Sequence, residues 1–331
     1  METLVSVIMP AYNVAAYIEK SIRSVIEQEY TAWELIVVND GSIDSTSAIV
    51  RAFGEKDSRI KLYEQENRGV SAARNRGITM ASGKYLAFLD GDDLWDKSFL
   101  RKVIGKKEET QAEMVFSWYQ KMDKKGQLKT FRFQSADAGD GDTLLLYLND
   151  IVLKKIAGLH IGSVLIDKKI LSQHDIFFTE NCAIGEDKEF ILKILSIAKV
   201  QVVREFLMTY RTREGSACHS PFNWEKSVQH IAAIKRGLYY VQEHHKNPAE
   251  LESVLLILQE NLRYRQYRLL WKMVKYKNHQ EALRMLAEPE CIESLAQIDK
   301  EKLRFNHRLK YDVIMSKNQY LWKLCTLLAR Q

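Results

Sequence analysis

The chain predicts an α/β fold, a mostly parallel sheet flanked by helices, with a helical segment at its C-terminal end. Three observations carry this. Strand-like apolar runs alternate with helix-period stretches over the first two hundred residues, the pattern of βαβ units. The polar turns with the most unusual composition each follow one of those runs. From about Phe222 onward glycine almost vanishes and helix formers dominate. We therefore divide the chain at 1–221 and 222–331. The first part splits into two halves, 1–96 and 97–221.

Leu4 to Met9 reads as a first buried strand, ended by the turn chemistry of Pro10-Ala11-Tyr12-Asn13. Ala15 to Gln28 reads as a helix, with Ile18, Ile22, Val25 and Ile26 on one face. Trp33 to Val38 is a second strand running into Asn39-Asp40-Gly41-Ser42, and Ser42 or Asp44 can cap a helix from Ser45 to Phe53. Ile60 to Tyr63 is a third, short strand. Asn67-Arg68-Gly69-Val70-Ser71 opens the next helix, and Lys84 to Leu89 is the fourth strand. Further on we expect a helix over Lys97–Gln111, a strand over Glu113–Trp118 and a hairpin-like turn at Asp123–Gln127. The acidic stretch Ala136–Asp142 reads as a loop, since it lacks the twelve-residue calcium pattern ending in Glu. Thr143–Leu153 reads as helix, His160–Ile166 as strand, Lys188–Ala198 as helix and Val200–Tyr210 as strand. His160 reads as an acceptor-side or structural residue, because no metal-ligand spacing surrounds it.

The 331 residues suffice for one large domain or two modest ones. Apolar runs are far too short to cross a bilayer. No basic leader precedes the first strand, so no signal peptide is expected. The four cysteines, Cys182, Cys218, Cys291 and Cys325, are scattered, as reduced thiols in a cytoplasmic protein would be. A net charge of +6 allows an anionic partner without identifying one, and no nucleic-acid partner is expected.

The most informative stretch is Tyr85 to Asp93. Five apolar or aromatic residues stop at Asp90-Gly91-Asp92-Asp93, three carboxylates in four positions. Carboxylates this close repel each other unless a cation sits among them. Oxygen-only ligands suit a hard ion, Mg²⁺ or Mn²⁺, which keeps part of its coordination sphere for substrate phosphates. Alone, such a group would be an ordinary polar turn; the buried-strand context points to a site.

Taken in order, Pro10-Ala11-Tyr12-Asn13, Val38-Asn39-Asp40-Gly41-Ser42-x-Asp44, Asn67-x-Gly69 with Ala73-Arg74-Asn75, Phe88-Leu89-Asp90-Gly91-Asp92-Asp93 and Gly185-Glu186-Asp187 resemble the motifs of the family 2 glycosyltransferases of the GT-A fold. The resemblance covers roughly the first two-thirds of the chain, and it implies that 1–96 is a nucleotide-binding half and 97–221 an acceptor-binding half. It implies an inverting, metal-dependent transferase that moves one sugar from a UDP-sugar to a glycan acceptor, with that acceptor on a lipid carrier in surface-polysaccharide assembly. Tyr12 could then stack on the base, and Asp40 accept from a ring N–H of uracil. Arg74 is placed by similarity on the pyrimidine or the phosphates. Asp90 would lie near the ribose, and Asp92 would hold the metal bridging the two phosphates, with His219 as a further phosphate or metal contact. Arg211 and Arg213 have the same chemistry, though surface solvation explains them equally well. By resemblance Asp187 is the base that takes the proton from the attacking hydroxyl, and Glu186 orients Asp187 or the acceptor.

Rival classes fit less well. A sugar-1-phosphate nucleotidyltransferase would need a Gly-rich signature with Arg and Lys after the first strand, and a dinucleotide oxidoreductase would need Gly-x-Gly-x-x-Gly there. A degenerate, nucleotide-sugar-binding partner subunit is the remaining alternative, and the presence of Asp92 and Asp187 weighs against it. In Arg263–Lys277, Arg265, Arg268, Lys272 and Lys275 share one face, opposite Tyr267, Leu270, Trp271 and Val274. Such a helix can lie on an anionic membrane, at the inner face of the cell membrane, or pack on its own domain with a solvated basic face.

Overall fold

The structure is a computed structural model that describes residues 2–131, 143–148, 159–213 and 222–328. Nine strands form one sheet in the order β3-β2-β1-β4-β8-β6-β9-β5, with β7 paired to β6. The first half is β1 (Val5–Ala11), α1 (Ala15–Ile26), β2 (Trp33–Asp40), α2 (Thr46–Gly54), β3 (Ile60–Gln65), α3 (Val70–Met80) and β4 (Tyr85–Phe88). Strands β1 to β4 pair in parallel. After the two-residue β5 (Leu94–Trp95) come α4 (Phe99–Thr110), β6 (Met114–Met122), β7 (Leu128–Phe131) and α5 (Thr143–Leu148). Then follow β8 (Val164–Asp167), α6 (Lys168–Gln173), α7 (Glu186–Ile197) and β9 (Val200–Arg211). β8 runs antiparallel to both β4 and β6, which returns β6 and its parallel partner β9 to the direction of β1–β4.

Both faces of this sheet are covered, which is why its strands read as continuous apolar runs rather than as alternating ones. Val5, Val7 and Met9 pack with α1 and α4 on one face. Ile8, Ile36 and Phe88 pack with α3 and α7 on the other. The second core also takes in Leu238 and Val241 of α8 (Trp224–His244) and Val254 and Leu258 of α9 (Pro248–Lys275). The C-terminal half of α9 is the hub of a third cluster. Tyr267, Leu270 and Val274 bury against α10 (His279–Ala287), α11 (Pro289–Ala296), α12 (Phe305–Met315) and α13 (Gln319–Leu328), with Trp322 fully enclosed.

Several local expectations are corrected. β1 does not stop before Pro10 but runs through it to Ala11. The ladder to β4 ends at Ile8↔Phe88, so the N–H that proline lacks falls beyond the last paired residue. The residues after His160 form a 3₁₀ turn, Ile161–Ser163, before β8 begins, because the His160 Nδ1 accepts from the Gly162 N–H at 3.1 Å. Helix α7 starts at Glu186 rather than at Lys188, on the positive-φ Gly185 (φ +99°). The expected basic face of α9 is also incomplete. Arg268, Lys272 and Lys275 are exposed, but Arg265 is half-buried. The expected loop at Ala136–Asp142, the end of the Thr143–Leu153 helix and His219 lie outside the described residues.

Candidate active site

The turns singled out in the sequence meet beyond the carboxyl ends of β1, β2 and β4, where open α/β sheets bind ligands. The first two are tied together by side-chain capping. Asn13 N–H donates to Ser42 Oγ at 3.0 Å, and Ile43 N–H donates to Asn13 Oδ1 at 3.0 Å. Asp44 accepts from the Ala15 N–H at the start of α1 and from the Thr46 N–H at the start of α2, both at 3.0 Å. Gly41 is required here. Its φ is +75°, and a Cβ would stand 2.9 Å from the Asn67 backbone nitrogen.

Asp40 is buried and holds the third turn. It accepts from Gln65 Nε2 at 2.8 Å, the Arg68 N–H at 2.9 Å and the Gly69 N–H at 2.8 Å. The Tyr12 ring is 45% exposed at the rim, free to meet a flat ligand. Gly91 sits against β1: its N–H donates to Pro10 O at 3.3 Å and its carbonyl accepts from Ser21 Oγ at 2.9 Å.

Arg74 is the centre of the site. Its side chain is only 4% exposed and pairs with Asp90 at 2.8 Å and with Glu186 at 3.4 Å. Burial works against its charge, but Asp90 and Glu186 outweigh burial and hold its pKa above the ordinary arginine value. Burial likewise opposes ionisation of Asp90, yet Arg74 and His160 leave that carboxyl below its usual range. Asp92 moves the other way: burial and the neighbouring Asp90 raise it, against the ion pair with Arg213. Asp93 is fully buried and pushed well up by burial, Asp92 and Asp90. One of its oxygens accepts from the Arg211 N–H at 2.9 Å, and the other has no hydrogen-bond partner, with His160 Nε2 3.9 Å away.

The opposite wall comes from α7, β6 and β9. Glu186 is raised by burial and by Asp187, with Arg74 opposing. Asp187 is half-buried, and its Oδ1 accepts from the Lys188 N–H at 2.8 Å. Its charge adds to burial in raising the hydroxyls of Tyr119 and Tyr147. The His160 ring lies between Tyr119 and Tyr210, with centroids 5.4 and 5.2 Å away. Because Nδ1 accepts from Gly162, the neutral ring carries its proton on Nε2, facing Asp93. Arg211 closes the donor side. Its Nη2 donates to Ser21 Oγ at 2.8 Å and its Nε to the Asp92 carbonyl.

Sequence reasoning brought Asp90, Asp92, Arg74, Glu186 and Asp187 to one place. It passed over Tyr119 and Tyr210, gave Asp93 no task of its own within the acidic cluster, and left Arg211 and His160 each between two readings. Two arginines at the end of β9, one residue apart, were the available signal for the closure on Asp92.

Among the described residues, no group of three or more His, Cys, Asp or Glu is placed to hold a metal. The donor set still fits a hard ion of the Mg²⁺ or Mn²⁺ type, which commonly takes one or two carboxylates and completes its shell with substrate phosphates. Asp92 would be the carboxylate for such an ion, and Arg213, now paired with it, would have to release it.

This architecture, with its parallel first half and the acidic turn after β4, is that of a GT-A fold. Residues 6–160 match the family model described as glycosyl transferase family 2. That match spans a little under half of the chain, which resembles the family over this stretch. Over 124 residues it is 41% identical to the putative teichuronic acid biosynthesis glycosyltransferase TuaG of Bacillus subtilis, covering 37% of this chain and 49% of that one. Over 235 residues it is 29% identical to the uncharacterized glycosyltransferase EpsJ of the same organism, covering 67% and 65%. With the glycosyltransferase GlyA of Streptococcus pneumoniae it shares 43% over 115 residues, 35% of this chain and 16% of GlyA. The chain thus spans less than two-thirds of each of these relatives. Among solved structures it resembles Staphylococcus aureus TarS 1–349 in complex with UDP, at 18% identity and a TM-score of 0.71, covering 99% of this chain and 91% of the other. At that identity the likeness is one of fold.

Proposed function

We propose that the protein transfers a sugar from a UDP-sugar to a hydroxyl of a glycan acceptor, with inversion at the anomeric carbon. One observation carries this reading: Arg74 joins the carboxylate cluster after β4 to the Glu186-Asp187 pair at the start of α7. A donor-binding half and a proton-accepting half therefore face one cleft. A relative named for teichuronic acid biosynthesis, and a fold neighbour solved with UDP and with UDP-GlcNAc, support the donor class and a place in surface-polysaccharide assembly.

Tyr12 offers a face for the uracil ring. Asp40, already shaping the Asn67–Gly69 turn, has lone pairs left for a ring N–H. Asp90, oriented by Arg74, faces the ribose. Asp92 would hold Mg²⁺ or Mn²⁺, with His219 a further contact. A divalent ion there supplies charge stabilisation to the departing diphosphate, and a fold neighbour was solved with GDP-Man and Mn²⁺. Arg211 and Arg213 stand ready for phosphate oxygens. Asp187 Oδ2 takes the proton from the attacking hydroxyl, and Glu186, held by Arg74, orients the acceptor.

We assign this work to residues 1–221 and acceptor or membrane contact to 222–331. The acceptor is read as lipid-linked, at the cytoplasmic face of the membrane. No helix among the described residues is long and apolar enough to cross a bilayer, so such contact would be peripheral. The test is a panel of UDP-sugars incubated with purified protein, with and without EDTA, followed by UDP release. Slow metal-dependent hydrolysis of one donor is expected. No binding or turnover of any of them would overturn the reading.

A further inference from the structure

Behind the start of α7 lies a cavity of about 60 Å³ between α5, α7, α8 and α9. Most of its wall is apolar, but three nitrogen-bearing side chains reach it: Lys188, His230 and Arg265. Arg265 is the residue that leaves the exposed basic face of α9. It donates to Asn261 Oδ1 at 2.8 Å and, among the described residues, meets no carboxylate. Lys188 has no acidic partner there either. Glu189 also borders the cavity, yet its carboxylate is already held by Arg236 and Lys193, each at 2.8 Å. His230 presses on Gly185, and its Nε2 is buried without a hydrogen-bond partner. Burial, Lys188 and Arg265 together push its pKa down to about 3. A half-buried guanidinium without a carboxylate, an exposed ammonium at the rim and an orphaned ring nitrogen form a site of unbalanced positive charge. A compact oxyanion is the chemistry that would satisfy all three groups at once.

The niche shares a wall with the acceptor side of the site. Lys188 directly follows Asp187, and Tyr147, which lines the cavity, has its hydroxyl raised by burial and by the Asp187 charge. We propose that this cavity is a second binding site, outside the donor cleft, where Arg265, Lys188 and His230 take a phosphate or carboxylate carried by the acceptor. The inference rests on the acceptor reading of Asp187 given above, and it makes that acceptor an anionic one.

The test is calorimetric titration of the full chain with inorganic phosphate and, separately, with acetate, while saturating UDP blocks the diphosphate site. The parent should bind one anion per chain. Phosphate tighter than acetate assigns a phosphate-bearing acceptor; the reverse order assigns a carboxylate-bearing one. Arg265→Gln should weaken anion binding about tenfold or more, as expected for losing a charge-assisted bond. Lys188→Gln, at an exposed position with little effect on folding, should weaken it several-fold. UDP affinity should be unchanged in both. A UDP-saturated parent that binds neither anion, or variants that bind as tightly as the parent, would overturn the proposal. Should UDP itself fail to bind, the donor reading fails on its own, and the same variants decide the anion site in its absence.

Discussion

Replacing Arg74 by Gln tests the central electrostatic feature of the site. The arginine side chain is 4% exposed, and its partners Asp90 and Glu186 are 26% and 12% exposed. Glutamine keeps much of the volume but leaves both carboxylates beside Asp92 and Asp187 without their cation. Removing one partner of a buried ion pair typically costs about 3–5 kcal/mol. For a chain of 331 residues that corresponds to a fall in Tm of roughly 4–7 °C. The pH dependence follows from the signs. In the parent, Asp90 lies below its ordinary pKa, so its stabilising effect is present above the unfolded value and is lost as pH falls through the folded one. In the variant, burial and like charges act unopposed and lift Asp90 and Glu186 above their unfolded values. The penalty is then largest near neutral pH and shrinks as acid protonates them. Thermal unfolding followed by circular dichroism at pH 7.5 and pH 5 would show the gap between parent and variant narrowing. Arg74→Gln combined with Glu186→Gln should recover part of the loss, since one buried charge is removed. A single-variant loss below about 1 kcal/mol, or a gap that widens in acid, would show that these charges are screened by solvent.

Asp92→Asn should weaken metal-dependent UDP binding at least several-fold and nearly abolish transfer; equal UDP affinity of the parent with and without EDTA would remove the metal from the mechanism. Gly41→Ala forces a side chain into the positive-φ turn and against the Asn67 backbone, so a destabilisation of about 1–3 kcal/mol and a weaker UDP complex are expected by denaturant unfolding and calorimetry. The exposed cations Arg268, Lys272 and Lys275 can be exchanged together for glutamine and the protein floated with anionic liposomes. Reduced flotation would support membrane contact through α9, and unchanged flotation would leave only its packing role.

Much of the first half was legible because its strands are buried on both faces and bounded by turn chemistry. Val5 to Met9 and Trp33 to Val38 are apolar but for Ser6 and Glu34, and Gly41 to Asp44 can hardly be anything but a turn before a helix. The acidic cluster was equally visible, since its three carboxylates are neighbours in sequence. What neutralises them was not. Arg74 reaches Glu186 across 112 positions, and Arg211 and Arg213 arrive from the end of the last strand, where their spacing marks them but not the carboxylates they meet. β5 has two residues and α6 six, too few for any periodicity to register. The turn after His160 escaped for a different reason. A single side-chain acceptor, His160 Nδ1, sets it, and the apolar run Ile161 to Ile166 conceals it. Arg265 shows the limit of a helical wheel: spacing placed it with Arg268 and Lys272, while the niche beneath α7 and α8 drew it inward.

The account stands most directly on the base. Asp187→Asn keeps the shape and hydrogen bonding of the side chain but cannot accept the proton as a carboxylate does. UDP release from the accepted UDP-sugar, with acceptor present, should be compared in parent and variant, alongside UDP affinity. The account predicts unchanged affinity and turnover lower by about a hundred- to ten-thousand-fold, the usual contribution of a general base. It also predicts a β-linked product, by NMR, from an α-linked donor. Undiminished turnover in Asp187→Asn would contradict it, and so would a retained α linkage.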